Sequence, residues 1–307
     1  MRVLVTGATG YVGLNVVHSL VDGEYDPVAL LRPGTSERRL PDGVETVAGD
    51  IRDPDSLPSA LAGVDSVVHL AAAVYPGQDM TGINVEGTAN LLEAADGAGV
   101  ENVVFASTIG AHPEVPINPD STYQTSKASA EELFVDGEFG FEYSIVYPTY
   151  ILGQRDYRLA RYDMFRPVAA NRVLVPPLYT YDDYNIVHVD DVVGTVEHAL
   201  TVGGQRRYLV SGPNVDSVEV MRTVADSVGG DCRVVNVPYP LTKYGIVPTI
   251  DFLHRLGVSP VGGSGFAERG DFGTLRTGLT ERAPVEQRGW RAAIEDTAAW
   301  YREVGLL

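Results

Sequence analysis

The 307-residue chain contains one cysteine, Cys232, so no intrachain disulfide can form, and such sparing use of cysteine fits a reducing compartment. Lysine is nearly absent: of 23 Lys and Arg residues, only Lys127 and Lys243 are lysines. No apolar run approaches the ~20 residues of a membrane-spanning helix. The histidines, at 18, 69, 112, 188, 198 and 254, include no i,i+3 or i,i+4 pair, which with a single cysteine argues against a structural zinc site. A net charge of −18 argues against nucleic acid and anionic membrane surfaces as partners. There is no internal repeat and no low-complexity tract. A strand beginning at residue 2 leaves no room for a signal peptide, so a cytoplasmic protein is expected. An acidic, lysine-poor composition suits a high-salt cytoplasm; a genomic bias that replaces lysine by arginine gives the same composition.

What is present begins at the N-terminus. Val3, Leu4 and Val5 read as a buried parallel strand, Gly7, Gly10 and Gly13 follow, and Val12, Val16, Val17 and Leu20 then share one helical face. Strand, glycine turn and helix form the setting a dinucleotide fingerprint requires. Gly7 allows a sharp turn, Gly10 lets the backbone approach a pyrophosphate, and Gly13 lets helix and strand pack closely. The free N–H groups at the helix start would face the phosphates. The spacing is G-x-x-G-x-x-G, so taken alone it is also compatible with an ordinary glycine-rich turn.

Further strands are expected at 26–32, 44–48, 66–70, 102–106 and 143–147, with helices from Asp53 to about Gly63, 79–97 and 121–135. Asp53-Pro-Asp reads as a capped helix start. Six strands alternating with helices predict an α/β fold with a doubly wound parallel (Rossmann) sheet. Beyond Pro148 the rhythm breaks into an aromatic- and arginine-rich stretch, 153–184, with Pro176-Pro177. A strand–helix pair at 186–200, a strand at 208–210, helices near 217–228 and 241–256, a glycine-rich loop at 259–278 and an amphipathic helix at 291–304 follow. The expected division is a dinucleotide-binding domain of 1–152 plus about 185–203, and a smaller mixed substrate-binding lobe of about 153–184 and 204–307.

Tyr123 and Lys127 stand four residues apart on an expected helix, which puts a phenol beside an ammonium. A neighbouring cation favours the ionised form of a tyrosine whose ordinary pKa is ~10, and so prepares it for proton transfer. A surface tyrosine and lysine on a polar helix is the plainer alternative, although Lys127 is one of only two lysines in the chain. Thr108 ends the fifth strand at the carboxyl edge of the sheet, where ligands of open α/β folds bind; Ser107 is the other hydroxyl available there.

Several segments in order along the chain carry a family resemblance: Thr6–Gly13, Gly49-Asp-Ile-Arg-Asp53, His69-Leu-Ala-Ala72, Asn84–Ala95, Phe105-Ala-Ser-Thr108, Tyr123-x-x-x-Lys127, Tyr147-Pro-Thr149 and Val187-His-Val-Asp-Asp191. With them the chain resembles an extended short-chain dehydrogenase/reductase of the NAD(P)-dependent epimerase/dehydratase superfamily. It looks nearest to the dihydroflavonol-reductase-like and hopanoid-associated members. The resemblance implies that Gly7, Thr9, Gly10, Tyr11, Val12 and Gly13 hold the pyrophosphate, that Asp50 and Ile51 contact adenine, and that Leu70, Ala71, Ala72 and Ala73 line the cofactor channel. It further implies Tyr123 as catalytic acid/base, Lys127 on the nicotinamide ribose, Thr108 on the substrate oxygen, Pro148 and Thr149 near the carboxamide, and a homodimer. Asn84 and Asp190-Asp191 have a structural alternative, tying a helix to the sheet and capping a later helix.

At the end of the second strand an acid would suit the ribose of NAD and an arginine the 2′-phosphate of NADP. Arg32, with Arg38 and Arg39 behind it, favours NADP; NAD stays open if Arg32 stacks on adenine. Ile109-Gly110 after Thr108 lacks the acids of a dehydratase, and Tyr150 stands where sugar-nucleotide enzymes usually carry asparagine. Arg155, Arg158, Arg161 and Arg166 remain candidates for a substrate diphosphate. The reading is an NAD(P)-dependent oxidoreductase acting on a small-molecule carbonyl or secondary alcohol. The alternatives are a nucleotide-sugar 4-epimerase with tightly held NAD and a non-catalytic cofactor-binding sensor.

Overall fold

The computed structural model describes residues 1–170, 173–174, 184–235, 241–258 and 281–307. Residues 171–172 and 175–183 of the aromatic- and arginine-rich stretch, Pro176-Pro177 among them, and the glycine-rich 259–278 stretch lie outside them. The chain divides into two units, the larger holding Met1–Thr149, Val189–Val210 and 281–288.

The larger unit is built on seven strands: β1 (Arg2–Thr6), β2 (Asp26–Leu31), β3 (Glu45–Ala48), β4 (Ser66–His69), β5 (Asn102–Ala106), β6 (Glu142–Pro148) and β10 (Arg206–Val210). They pair in the order β10-β6-β5-β4-β1-β2-β3, every pair parallel. Strands buried on both faces read as apolar runs, as in Val3-Leu4-Val5, Val67-Val68 and Val103-Val104-Phe105, all fully buried. The order reverses between β1 and β4, which opens a crevice at their carboxyl ends. Around the sheet, α1 (Tyr11–Asp22) packs on α6 (Val189–Val202), while α2 (Leu57–Ala60), α3 (Gly87–Ala98) and α4 (Thr122–Asp136) pack in series. Ser121 caps α4 by accepting from Gln124 N.

Three sequence expectations change. The sheet has a seventh strand, because Arg206–Val210 pairs with Ser144–Pro148 of β6 and so does not belong to the smaller lobe. Asp53 makes no cap bond. Ser56 N donates to Asp53 O (3.1 Å), which closes Pro54–Ser56 as a 3-10 turn, Ser56 Oγ donates to the same carbonyl (2.7 Å), and only four residues, Leu57–Ala60, are α-helical. The helix expected from 79 opens as a π-helix over Thr81–Glu86 before α3. Its Asn84 side chain turns inward, accepting from Ala73 N (2.7 Å) and donating to Ala73 O (3.0 Å) and Ser126 Oγ (2.9 Å). A π-turn of this kind is often found beside functional sites, and here Asn84 ties helix to sheet, the structural role expected for it.

The smaller unit comprises the described residues of 150–188, 211–277 and 289–307. Tyr150–Leu152 (β7), Tyr184–His188 (β9) and Asn214–Val215 (β11) form a mixed sheet, β7 parallel and β11 antiparallel to β9. This pairing moves residues 150–152 and 185–188 out of the expected dinucleotide domain. Its core gathers Leu152, Phe165, Ile186, Val224, Ile294 and Tyr301 from that sheet, from the helices Tyr162–Ala170 and Ser217–Val228, and from the last helix, Trp290–Glu303.

Candidate active site

The β1–α1 turn is shaped by what cannot stand in it. Gly7 has φ +68°, and a Cβ there would lie 2.6 Å from Ala71 N and Leu70 C. A Cβ on Gly13 would lie 2.2 Å from Gly7 O. Gly10 N donates to Gly7 O at 2.8 Å, and Gly10 then caps α1 with no side chain of its own to occupy the N–H groups of the first turn. No acid lies in that turn. The result is an open, positively polarised helix start reached by bare backbone, a cradle that fits a pyrophosphate. Thr9, Tyr11 and Val12 on its rim are half-buried.

Beneath the cradle, a chain of hydrogen bonds fixes the facing strand. Leu70 N (3.2 Å) and Ala71 N (3.1 Å) donate to Thr6 Oγ1, which contacts His69 Nδ1 at 2.7 Å. His69 Nε2 meets Thr88 Oγ1 at 3.0 Å, and that hydroxyl donates to Asn84 O at 2.7 Å. Thr88 Oγ1 is therefore an acceptor toward the ring, which places the imidazole proton on Nε2 and leaves Nδ1 to accept from Thr6. Burial, reinforced by the charge of Lys127, pulls the His69 pKa down to about 3, so the ring is neutral.

The other expected cofactor contacts follow the same sheet edge. Leu70, Ala71 and Ala72 are half-buried and Ala73 is buried. Asp50 is paired with Arg52 at 2.6 Å and held below the usual carboxylate range, first by that hydrogen bond and in smaller part by the charges of Arg52 and Arg32. Ile51 is buried, and its carbonyl accepts from Asn90 Nδ2 at 2.9 Å. Arg32, just past β2, is exposed and makes no ion pair among the described residues; Arg38 and Arg39 are exposed too. Pro148 closes β6 and is buried; Thr149 N donates to Val210 O at 3.0 Å.

At the end of β5 three residues have three fates. Ala106 O accepts from Lys127 Nζ at 2.6 Å. Ser107 is buried and its hydroxyl donates to Glu131. Thr108 is half-buried and extended (φ −144°, ψ 150°), and its side chain takes no capping bond in the 3-10 turn 109–111 that follows. Of the two hydroxyls available from the sequence, Ser107 is thus the one engaged by Glu131 inside the protein, and Thr108 is the one that is not. Lys127, on α4, is 2% exposed and sits 4.3 Å from the centre of the Phe105 ring. Burial lowers its pKa to about 7, opposed by the charge of Glu131. Tyr123, one turn earlier on α4, is half-buried.

Sequence reasoning missed Glu131 and His112. Glu131 accepts from Ser107 Oγ and from Tyr147 OH (2.8 Å). His112 is buried with its ring edge-on to Tyr147 at 4.6 Å. An acid one turn beyond Lys127 was the available signal for the first; nothing in the sequence marks the second. Two further groups of expected residues fall one in the smaller unit and one in the larger. Arg161 is held within it, its guanidinium 4.5 Å from the Tyr150 ring and its Nε on Ile151 O (3.2 Å), while Arg166 reaches Asp163 at 3.7 Å. Asp190 and Asp191, in the first turn of α6, receive Arg288 Nη1 (2.6 Å) and Arg288 N (2.9 Å).

The neutral His69 has a measurable consequence. Its folded pKa lies far below the unfolded value near 6.5, so the stability it contributes is fully present above ~6.5 and is lost as pH falls toward 3. In ring-labelled protein the His69 resonance, assigned by its loss in His69→Gln, is expected to stay unchanged from pH 8 to 4.5; a midpoint near 6.5 contradicts the tautomer-locked chain.

Residues 3–211 match the family model described as the NAD dependent epimerase/dehydratase family. Over its full length and that of the relative, the chain is 29% identical to sterol demethylase protein B of Methylococcus capsulatus. It is 28% identical to an N-acetyl-alpha-D-glucosaminyl-diphospho-ditrans,octacis-undecaprenol 4-epimerase of Escherichia coli O157:H7, across 80% of this chain and 77% of that one. It is 29% identical to a 3-beta-hydroxysteroid dehydrogenase of Mycolicibacterium neoaurum, across 74% and 70%. A match spanning both the glycine cradle and the β5–α4 residues settles the classification: the chain belongs to the NAD dependent epimerase/dehydratase family and is an NAD(P)-dependent enzyme of the extended short-chain dehydrogenase/reductase type.

Proposed function

We propose that the protein is an NADP-dependent reductase or dehydrogenase that interconverts a carbonyl and a secondary alcohol, with Tyr123 as acid/base. The observation that carries this reading is the end of β5, where Ala106 holds Lys127, Glu131 engages Ser107, and Thr108 is the hydroxyl that remains for a substrate oxygen. Gly7, Gly10 and Gly13 with the start of α1 would hold the pyrophosphate, and Arg32 the 2′-phosphate. When bound, the nicotinamide supplies or accepts the hydride. In the reducing direction Tyr123 gives its phenolic proton to the carbonyl oxygen while Thr108 holds that oxygen by a hydrogen bond. The Lys127 ammonium favours the phenolate that remains.

The 4-epimerase reading is favoured by one specific observation, the similarity over most of the chain to the Escherichia coli 4-epimerase. Against it, Arg161 is turned onto Tyr150 with its Nε on Ile151 O, which occupies one of the four arginines considered for a substrate diphosphate. The dehydrogenase from Mycolicibacterium neoaurum, whose name specifies a hydroxysteroid, supports oxidoreduction at a secondary alcohol.

Two experiments test the reading. Tyr123→Phe is expected to cut NADPH oxidation, with a carbonyl substrate found by screening, by about 100-fold or more while NADPH affinity stays within about threefold; turnover near the wild-type rate removes Tyr123 from the chemistry. Arg32→Asp is expected to weaken NADPH by ~10–100-fold and to improve NADH relative to it, measured by nucleotide fluorescence. An unchanged NADPH-to-NADH ratio rules out Arg32 as the phosphate ligand.

A further inference from the structure

Three acids are buried among the described residues: Glu131, Asp156 and Asp191. Asp191 accepts from Arg288 N, and Asp156 accepts from Arg161 N and Tyr301 OH. Glu131 is different, because it lies one helical turn from a buried cation and takes its hydrogen bonds from two neutral hydroxyls, Ser107 Oγ and Tyr147 OH. A glutamine of the same shape would keep one acceptor oxygen for one hydroxyl and turn its NH2 toward the other, which can accept in place of donating, so neutral shape can fill this place and the charge is what a glutamine removes.

We propose that Glu131 is a positioning residue for the Tyr123–Lys127 pair: its carboxylate keeps the buried Lys127 ammonium charged, and by engaging Ser107 it leaves Thr108 as the hydroxyl presented to substrate. The inference deepens the oxidoreductase reading and rests on it for the roles of Tyr123, Lys127 and Thr108.

The charge geometry supports this. An ammonium that is 2% exposed and donates to one backbone carbonyl is costly to keep ionised without a counter-charge. Burial drives Lys127 toward the neutral amine, and Glu131 is the acid that opposes it. The groups facing the pair come from four strands: His69 from β4, which is neutral; Ser107 beyond β5; Tyr147 from β6, its phenol pushed up by burial and by Glu131; and Arg207 from β10; the π-turn 81–86, α3 and the 109–111 turn also pack on α4 but bring no charge to bear on Lys127 or Glu131. His112, packed on Tyr147, is kept toward neutrality chiefly by burial. Burial raises Glu131 itself, while the bonds from Ser107 and Tyr147 and the charges of Arg207 and Lys127 pull it back toward carboxylate. The two hydroxyls therefore oppose the neutralisation of Glu131, and Glu131 opposes that of Lys127.

The near absence of lysine makes the test direct. Protein labelled with 13C at lysine Cε has two side-chain signals, from Lys127 and Lys243, and Lys127→Met assigns them. In wild-type protein the Lys127 signal is expected to titrate near pH 7. In Glu131→Gln the midpoint is expected to fall by about one pH unit or more, with the Lys243 signal unmoved. Tyr147→Phe, a milder change that weakens the carboxylate, is expected to lower the same midpoint by a smaller amount and carries the test if Glu131→Gln does not fold. A Lys127 midpoint that stays in place in the folded variants overturns the proposal, since a merely structural Glu131 would not move it. NADPH and NAD+ binding measured on the same samples separates the two claims. A midpoint that responds in a protein that binds neither nucleotide leaves the Glu131 relation standing and defeats the oxidoreductase reading. Nucleotide binding with an unresponsive midpoint does the reverse.

Discussion

The Lys127 ammonium is almost wholly removed from water, yet it reaches the carbonyl of Ala106 at 2.6 Å and so ties the middle of α4 to the last residue of β5. That contact sets the arrangement of the site. It fixes the turn of α4 that carries Tyr123, and it holds the strand end from which Ser107 and Thr108 diverge. A charged group in such a place lowers stability unless its surroundings compensate, and here the compensation is spread over a carbonyl, an aromatic face and a nearby carboxylate. In a chain with two lysines, one of them occupies the position where a cation is hardest to accommodate.

The cofactor half is organised by a different constraint, close backbone approach. The β1–α1 turn and the end of β4 come so near that a single Cβ on Gly7 would collide with the backbone at Leu70 and Ala71. The chain from Thr6 through His69 and Thr88 to Asn84 holds that approach, and a protonated imidazole would break it. Asn84 extends the same network to Ala73 and to Ser126 of α4. The cradle and α4 are therefore linked by buried side-chain hydrogen bonds as well as by the sheet.

Much of this was legible in the sequence. The strands of the large sheet announce themselves as apolar runs because both of their faces are covered, and the glycine spacing marks the cradle because no other residue fits there. The Tyr123–Lys127 spacing follows from helix periodicity alone. What escaped depends on tertiary pairing. Arg206–Val210 reads as a strand, but nothing local says that it joins β6 in the large sheet. The π-turn at 81–86 obeys no simple apolar period, and Asp53 stands at a cap position but its side chain makes no cap bond. That Ser107 is engaged inside the protein could not be read without Glu131, whose side chain arrives from a helix 24 residues further along.

In the proposed reductase the nicotinamide cofactor enters and leaves the cradle with each turnover, whereas a 4-epimerase would keep one bound. Denaturing the purified protein and assaying the released nucleotide, with equilibrium dialysis of NADPH against untreated protein, separates the two. Little or no co-purified NAD+ and reversible NADPH binding near one per chain are expected of the reductase; stoichiometric NAD+ that survives dialysis and blocks NADPH would contradict it.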